Sequence, residues 1–138
     1  QHLLEISPPV HAEDSVLATL IFKPDLMPIA ATALNAATFG GQQQKIIAAA
    51  IWKVYAAKLE INPAAISAML PGVDIFQLLP LADITNFESN LEIVKTEYIR
   101  RQEAQIALQL ASDLAAGDRL QRHERLNRRL AAGRLDST

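Results

Sequence analysis

The most constraining feature of the sequence is an uninterrupted stretch that favours helix. From Thr85 to Ala116 there is no glycine or proline, and Leu, Ala, Glu and Gln are frequent. The stretch opens with Thr85-Asn86-Phe87-Glu88, whose threonine and glutamate have the spacing of a capping box. A helix of roughly thirty residues is long for a globular domain. This stretch therefore predicts an all-α protein in which one helix is unusually long.

The residues before this stretch predict a helical bundle over residues 1–96. Apolar residues recur on one helical face in the segment Val16–Ile21, and Lys23-Pro24-Asp25 then interrupts the helix. A further helix is predicted over residues 42–58. Asn62-Pro63 provides an asparagine cap with proline at the first helical position, which is a start signal for the next one. No strand pattern or internal repeat is evident.

The residues after the long stretch predict a second subdomain over residues 97–138. Gly117 is expected to terminate the long helix, because glycine commonly follows the last helical residue. Asp118 and Gln121 repeat the capping-box spacing, and a last helix is expected to end near Ala132. Since the intervening turn is very short, the two helices would run antiparallel. The expected fold is a helical bundle followed by a long helix and a protruding C-terminal helical hairpin.

Composition limits the classes of protein that remain. The 138 residues fit one compact domain, and half of them are apolar. The absence of cysteine excludes disulfides, zinc-thiolate sites and thiol catalysis, and is typical of a reducing, cytoplasmic location. No apolar run approaches membrane-spanning length, and no signal-peptide pattern is present. The chain starts at Gln1 without methionine, which we interpret as a fragment of a longer protein.

No residue pattern points to catalysis, a metal or a cofactor. Gly40-Gly41 precedes Lys45, but the glycines are adjacent and no Ser or Thr follows the lysine, so the phosphate-loop spacing is missing. Glu13-Asp14 is explained by a helix start, where carboxylates favourably meet the helix dipole. None of the histidines has a second ligand at the spacing that zinc requires: His2, His11 and His123. We expect a non-catalytic domain without cofactor or metal.

Charge is distributed unevenly along the chain. Residues 1–94 carry four basic and nine acidic side chains, whereas residues 95–138 carry nine basic and six acidic ones. The second part is thus positive, but its interspersed acids suit a protein partner better than nucleic acid. Arginines that surround exposed leucine can form a docking surface. The predicted partner-binding residues are Arg119, Arg122, Arg125, Leu126 and Arg129.

Three stretches resemble the C-terminal, helicase-binding domain of bacterial DnaG-type primases. The opening EDSVLATLIFKPDL looks like the first helix of that domain and its break. The segment NFESNLEIVKTEYIRRQEAQIALQ is similar to its long helix, and RHERLNRRLAAG to its last one. The resemblance implies an inert domain whose hairpin docks on the N-terminal domain of the replicative, DnaB-type helicase, within a parent primase that synthesises RNA primers.

In some members of that family the body also captures the acidic tail of the single-strand-binding protein, through basic residues near the first helix. The present sequence has Glu13 and Asp14 there, which argues against this second role. Neither a membrane nor direct nucleic-acid contact is implied. A direct nucleic-acid binder remains an alternative, and it requires an affinity that falls steeply with salt.

A second family shares much of this likeness. PPVHAEDSVL and IWKVYAAKLEINPAAISAML also resemble the N-terminal domain of the replicative helicase, a self-associating and primase-binding collar. Two features favour primase in our interpretation: the basic final helix, and a chain that ends after a capped hairpin with no nucleotide-binding domain behind it. The helicase collar is kept as the alternative function.

Overall fold

The computed structural model describes residues 9–136, with side chains for residues 9–131. All elements found there are helical, and no strand occurs among these residues, which confirms the predicted all-α class. The α-helices are α1 (Val10–Phe22), α2 (Met27–Ala33), α3 (Gln42–Ala56), α4 (Pro63–Met69), α5 (Ile75–Leu78) and α6 (Phe87–Asp136). Short 3-10 helices cover Pro24–Leu26, Ala36–Thr38 and Leu79–Leu81.

The chain divides into two compact units, Gln1–Arg101 and Gln102–Thr138. Unit 1 contains α1 to α5 and the first part of α6. Unit 2 contains the remainder of α6 and no other element among the described residues.

The core of unit 1 is built around α1. Nine of the thirteen residues of this helix are buried, and it contacts α3, α5 and the 3-10 turn at Leu79–Leu81. A helix that is apolar on most sides has to be covered from several directions, and the other helices provide that cover. Leu17 and Ile51 are fully buried between them, and Phe39 packs edge-on against Trp52 with ring centroids 5.7 Å apart.

A buried carboxylate joins α1 to the start of α3. Glu13 is 0% exposed, and its two oxygens accept hydrogen bonds from the backbone N–H groups of Gly40 and Gly41 at 2.7 and 3.0 Å. The neighbouring Asp14 accepts from Gln44 Nε2 at 2.7 Å. Because buried charge is tolerated only with strong hydrogen bonds, Glu13 fixes the loop that precedes α3.

The start of α6 differs from the prediction in its capping. No hydrogen bond of the Thr85 side chain occurs within the described part of the chain, so the predicted capping box is wrong. Instead the Asp83 carboxylate accepts from the backbone N–H and the Nδ2 of Asn86 at 3.1 and 2.8 Å. The backbone N–H of Asp83 in turn donates to Thr19 Oγ1 on α1 at 2.9 Å. A tertiary contact thus accompanies a helix start at Phe87, one residue later than the capping box at Thr85 predicts.

The Asp83 turn makes a testable electrostatic prediction. The hydrogen bonds from the side chain and then the backbone of Asn86 hold the pKa of Asp83 below its ordinary value of 3.8. A carboxyl group with a lowered folded-state pKa stabilises the fold above its unfolded pKa, and this contribution is lost as the pH falls through the folded value. We expect an NMR titration to find the lowered pKa, and Asn86→Ala to return it toward 3.8. An unaltered pKa in Asn86→Ala would contradict the assignment.

The first turns of α6 pack into unit 1. Phe87, Leu91 and Val94 are buried, and their spacing of four and three residues places them on one helical face. At the end of the unit, Arg101 Nη2 donates to the carbonyl oxygen of Thr38 at 3.0 Å. Helix α6 is therefore anchored along its first fifteen residues by apolar contacts and a final hydrogen bond.

In unit 2 the predicted turn is not found. Helix α6 continues through Gly117 to Asp136 as a single helix of 50 residues, so the predicted helix end at Gly117 and the antiparallel hairpin are corrected. A glycine costs about 1 kcal/mol relative to alanine inside a helix. Gly117 follows Ala115 and Ala116 and is followed by further good helix formers, which offset that cost. A glycine alone is thus a weak stop signal.

Gly117→Ala provides a direct check of this helix. A Cβ atom added at Gly117 meets nothing within 4 Å, so the substitution should stabilise the helix by about 1 kcal/mol through its higher propensity. Circular dichroism during thermal unfolding is expected to show a higher melting temperature for the helical signal. A loss of stability would indicate a turn at this position.

Among the residues described, no single helix is long and apolar enough to cross a membrane. Among the same residues, only one pair of helices passes this test when the two are taken together, and it does so by length and composition alone. The pair is Val10–Phe22 and Pro24–Ala33, bent by 113°.

Candidate functional site

The described helix of unit 2 carries an apolar stripe on its surface. Ile106, Leu110 and Leu114 are 65%, 58% and 67% exposed. Since each residue turns a helix by about 100°, spacings of four place these three on one side. We call Ile106, Leu110 and Leu114 the pairing stripe. No side chain described between residues 102 and 131 is buried. The stripe is therefore apolar like the contact between two packed helices, but it is exposed.

The predicted partner-binding residues all lie on the exposed surface of α6 in unit 2. At about 100° per residue, most of them share one side with Leu130, roughly opposite the pairing stripe. The members of this side are Arg119, Arg122, Leu126, Arg129 and Leu130, and we call it the arginine face. Arg125, the fifth predicted residue, lies between the two sides.

Some of these arginines are engaged within the helix. Arg122 pairs with Asp118, and Arg128 approaches Glu124 at 3.6 Å; both pairs are one turn apart and solvent-exposed, and such pairs contribute little to stability. With the side chains described here, Arg119 and Arg129 form no ion pair. The side chain of Arg134 lies outside the described residues. The arginine face thus offers guanidinium donors beside the exposed Leu126 and Leu130.

Unit 1 carries a groove of mixed polar and apolar lining that sequence reasoning missed. The groove has a volume of about 570 Å³ and lies where the end of α1 meets the loop between α3 and α4. Phe22 and Leu59 line it and are 64% and 67% exposed. Tyr55 adds a third large side chain, while Asp25 and Glu60 supply carboxylates. These five residues define what we call the Phe22 groove.

The backbone holds Leu59 in this groove at an energetic cost. Helix α3 ends in a Schellman motif, in which the N–H of Leu59 donates to the Val54 carbonyl and the N–H of Lys58 to the Tyr55 carbonyl, at 3.1 and 3.0 Å. Lys58 has a φ of 59°, a left-handed conformation that costs about 1 kcal/mol for a residue other than glycine. The motif usually buries the side chain that comes next, but Leu59 stays exposed.

The polar groups of unit 1 that the sequence singled out are engaged within the fold. Within residues 9–131 no group of three or more His, Asp or Glu side chains could hold a metal ion. The carboxylates of Glu13-Asp14 bind protein donors. The N–H groups of Gly40-Gly41 are occupied by Glu13, so this loop cannot also cradle a phosphate. The exposed surfaces of the chain are suited to binding another macromolecule.

Only part of these surfaces could be read from the sequence. The spacing of Ile106, Leu110 and Leu114 is periodic in the sequence, and the density of arginines predicted a docking face. The Phe22 groove depends on residues far apart in the chain that α1 and the α3–α4 loop bring together. The one signal of this groove in the sequence was Phe22, a large aromatic residue directly before Lys23-Pro24 at the end of a helix.

Comparison with known proteins gives a consistent result. The model of the family described as "DnaB-like helicase N terminal domain" matches residues 7–99. The solved structure of the N-terminal domain of DnaB helicase from Mycobacterium tuberculosis superimposes with a TM-score of 0.73 at 18% identity, covering 80% of this chain and 89% of that one. At this identity the structural likeness shows the fold alone. No curated protein matches the sequence.

These matches contradict the resemblance to the C-terminal domain of DnaG-type primases. The predicted function of docking a primase on the helicase, the helicase N-terminal domain as partner and the primase parent are therefore wrong. The order of the short helices did not distinguish the primase domain from the helicase N-terminal domain, because the sequence resembles both. Of the two features that favoured primase, the capped hairpin at the end of the chain fails. The hairpin is absent from the described helix, and the point where the sequence ends says nothing about the rest of the parent protein.

Proposed function

Because the chain belongs to the family of DnaB-like helicase N-terminal domains, we propose that it is the self-associating collar domain of a replicative DNA helicase. The observation that supports this function best is the pairing stripe. It places three large aliphatic side chains on one exposed side of a helix that has no other described element in its unit. Apolar surface of this kind is usually covered by a partner.

The stripe is narrow, as a helix–helix seam requires. Gln109 and Asp113 border Leu110 on one side of the stripe and are joined by a hydrogen bond of 3.0 Å. The other side of the stripe carries the small residues Ala107 and Ala111, which allow a second helix to approach closely. Two copies that meet along the stripe would bury the stripe residues of both copies. Each of these side chains would contribute about 1.5–3 kcal/mol when fully buried.

In this proposal the domain itself performs no catalysis. It holds helicase subunits together at the replication fork, in the cytoplasm, and the motor that hydrolyses nucleotide belongs to another part of the helicase. The contact along the stripe would be isologous, with the same residues on both copies, as in most homo-oligomers.

Self-association can be measured directly on the isolated chain. In sedimentation velocity over a range of protein concentrations, we expect the weight-average sedimentation coefficient to rise with concentration. The association should persist at high salt, because it depends on apolar contacts and not on ion pairs. A clean monomer at every concentration would contradict the proposed function.

A further inference from the structure

A second pocket of unit 1 is lined by hydrogen-bond donors that have no acceptor. It lies where the end of α2 and the loop after it meet α6, and its volume is about 330 Å³. We call it the Lys95 pocket. The lining residues that carry its chemistry are Asn35, Thr38, Lys95, Tyr98 and Ile99. All of them belong to unit 1, so the pocket uses no residue of the pairing stripe and does not depend on self-association.

Three side chains of the Lys95 pocket carry donors that the fold does not use. The Asn35 side-chain oxygen already accepts from the Ala37 N–H and the Thr38 hydroxyl, at 2.9 and 3.3 Å, which leaves the Asn35 Nδ2 to donate elsewhere. Within the described part of the chain, that Nδ2, the Lys95 ammonium and the Tyr98 hydroxyl donate no hydrogen bond. Lys95 forms no ion pair there either. A ligand rich in acceptors would satisfy all three groups.

A second cation is attached to the wall of the pocket. Arg101 Nη2 donates to the carbonyl oxygen of Thr38 at 3.0 Å. Arg101 Nη1 is buried and has no hydrogen-bond partner among the described residues, and no carboxylate pairs with this guanidinium in the same part of the chain. Because a buried charge without a partner is costly, Arg101 favours an anion in the adjacent pocket without touching it.

The lining of the pocket defines what it can accept. Of the described residues that line it, none is acidic and Lys95 alone is charged. Ala31, Ala33 and Ile99 supply an apolar wall, and Ile99 is 45% exposed. Nucleic acid is less suitable, because binding to its backbone requires several cations in a row. The ligand should combine carboxylates with an aliphatic or aromatic side chain.

We propose that the Lys95 pocket binds a short acidic segment of another protein. A carboxylate of this segment would pair with Lys95 and accept hydrogen bonds from Asn35 and Tyr98. A leucine or phenylalanine beside that carboxylate would pack on Ile99. This contact goes beyond the proposed function, because it recruits a different protein through a surface that the self-association of the chain does not use.

Fluorescence anisotropy on the full chain tests this site. The probe is a fluorescein-labelled heptapeptide in which leucine and phenylalanine are flanked by aspartates, and its control is the same peptide with asparagine in place of each aspartate. We expect saturable binding of the acidic peptide, with an affinity that falls as salt rises. The neutral peptide should bind at least about tenfold more weakly, because hydrogen bonds to a charged acceptor are the stronger ones.

Variants of the two cations locate the site. Lys95→Glu should weaken binding of the acidic peptide by at least about tenfold, because it turns an attraction into a repulsion. Arg101→Gln, which removes the charge behind the wall, should weaken it by about threefold or more. Lys53→Glu is the matched control, since Lys53 is exposed on α3 and does not line the pocket. Circular dichroism checks that each variant is folded, and the exposed Lys95 carries the test alone if Arg101→Gln is not.

Several results would overturn the Lys95 pocket as a binding site. These are no saturable binding of the acidic peptide, equal binding of the neutral peptide, and equal losses for Lys95→Glu and Lys53→Glu. A labelled single-stranded oligonucleotide that binds in a Lys95-dependent way, when the acidic peptide does not, would also overturn it and indicate nucleic acid as the ligand. Sedimentation velocity of Lys95→Glu should show the self-association of the wild type, so the proposed function is tested separately.

Discussion

Replacing Glu13 by alanine is expected to lower the free energy of unfolding by roughly 3–5 kcal/mol. The substitution removes both acceptors of the Gly40 and Gly41 N–H groups and leaves these donors without a partner. It also opens space at a fully buried position of α1. Because domains are stable by only about 5–15 kcal/mol, this single change is expected to have the largest effect on the fold.

Two further variants make the Glu13 result interpretable. Glu13→Gln keeps the shape of the side chain but replaces one accepting oxygen by an amide that can only donate, so we expect an intermediate loss of roughly 1–3 kcal/mol. Asp14→Asn, on the adjacent and partly exposed carboxylate, should cost less than about 1 kcal/mol. Urea unfolding monitored by circular dichroism measures all three. Equal losses for Glu13→Ala and Asp14→Asn would contradict the role assigned to Glu13.

Placing a charge in the pairing stripe is expected to have the largest effect on assembly. Leu110→Glu should weaken self-association by roughly a hundredfold or more, because two apolar side chains leave the contact and two carboxylates meet in their place. Leu110 is 58% exposed, so the substitution leaves the folded monomer unchanged. Sedimentation equilibrium provides the association constants of both proteins.

The matched control for this variant is Leu108→Glu. Leu108 lies two residues away on the same helix and is also exposed, but at about 100° per residue it lies on the far side from the stripe. We expect it to leave pairing nearly unchanged. If both substitutions weaken pairing equally, the loss reflects added charge in general, and the stripe is not the contact.

Local signals in the sequence were reliable where a side chain caps backbone N–H groups a few residues away. Asn62 accepts from the Ala65 N–H at 2.8 Å, so the cap predicted for α4 exists. Asp74 likewise accepts from the N–H groups of Phe76 and Gln77 at the start of α5. The predicted helix over residues 42–58 is observed as Gln42–Ala56. Cap chemistry acts over three or four residues, and the sequence contains that information in full.

Features that depend on distant residues could not be predicted. The capping of α6 at Asp83 depends on Thr19, and the burial of Glu13 depends on a loop 27 residues later. At Gly117 the sequence shows that the helix is weakened. It does not show whether the neighbouring residues favour helix strongly enough to offset that loss. The pairing stripe and the arginines are visible in the sequence as periodic patterns. The Phe22 groove is not, because no periodicity links the end of α1 to the loop between α3 and α4.

The choice between two similar families could not be made from the order of helices. Both resemblances covered the same opening, and the decision for primase relied on the basic final helix and on a chain that ends after a predicted hairpin. The match over residues 7–99 depends instead on many positions of the body taken together. In the proposed function, the exposed stripe is a contact between identical subunits.

The proposed collar depends above all on one contact, in which unit 2 pairs with unit 2 of another copy through Ile106, Leu110 and Leu114. The chain has no cysteine, so Ser112→Cys introduces a unique site for a spin label on the same helix, on the side away from the stripe. Double electron–electron resonance should then show a defined intermolecular distance that fades on dilution with unlabelled chain and is absent in the Leu110→Glu background. Association without any defined distance at Ser112, or a distance that survives Leu110→Glu, would contradict the account.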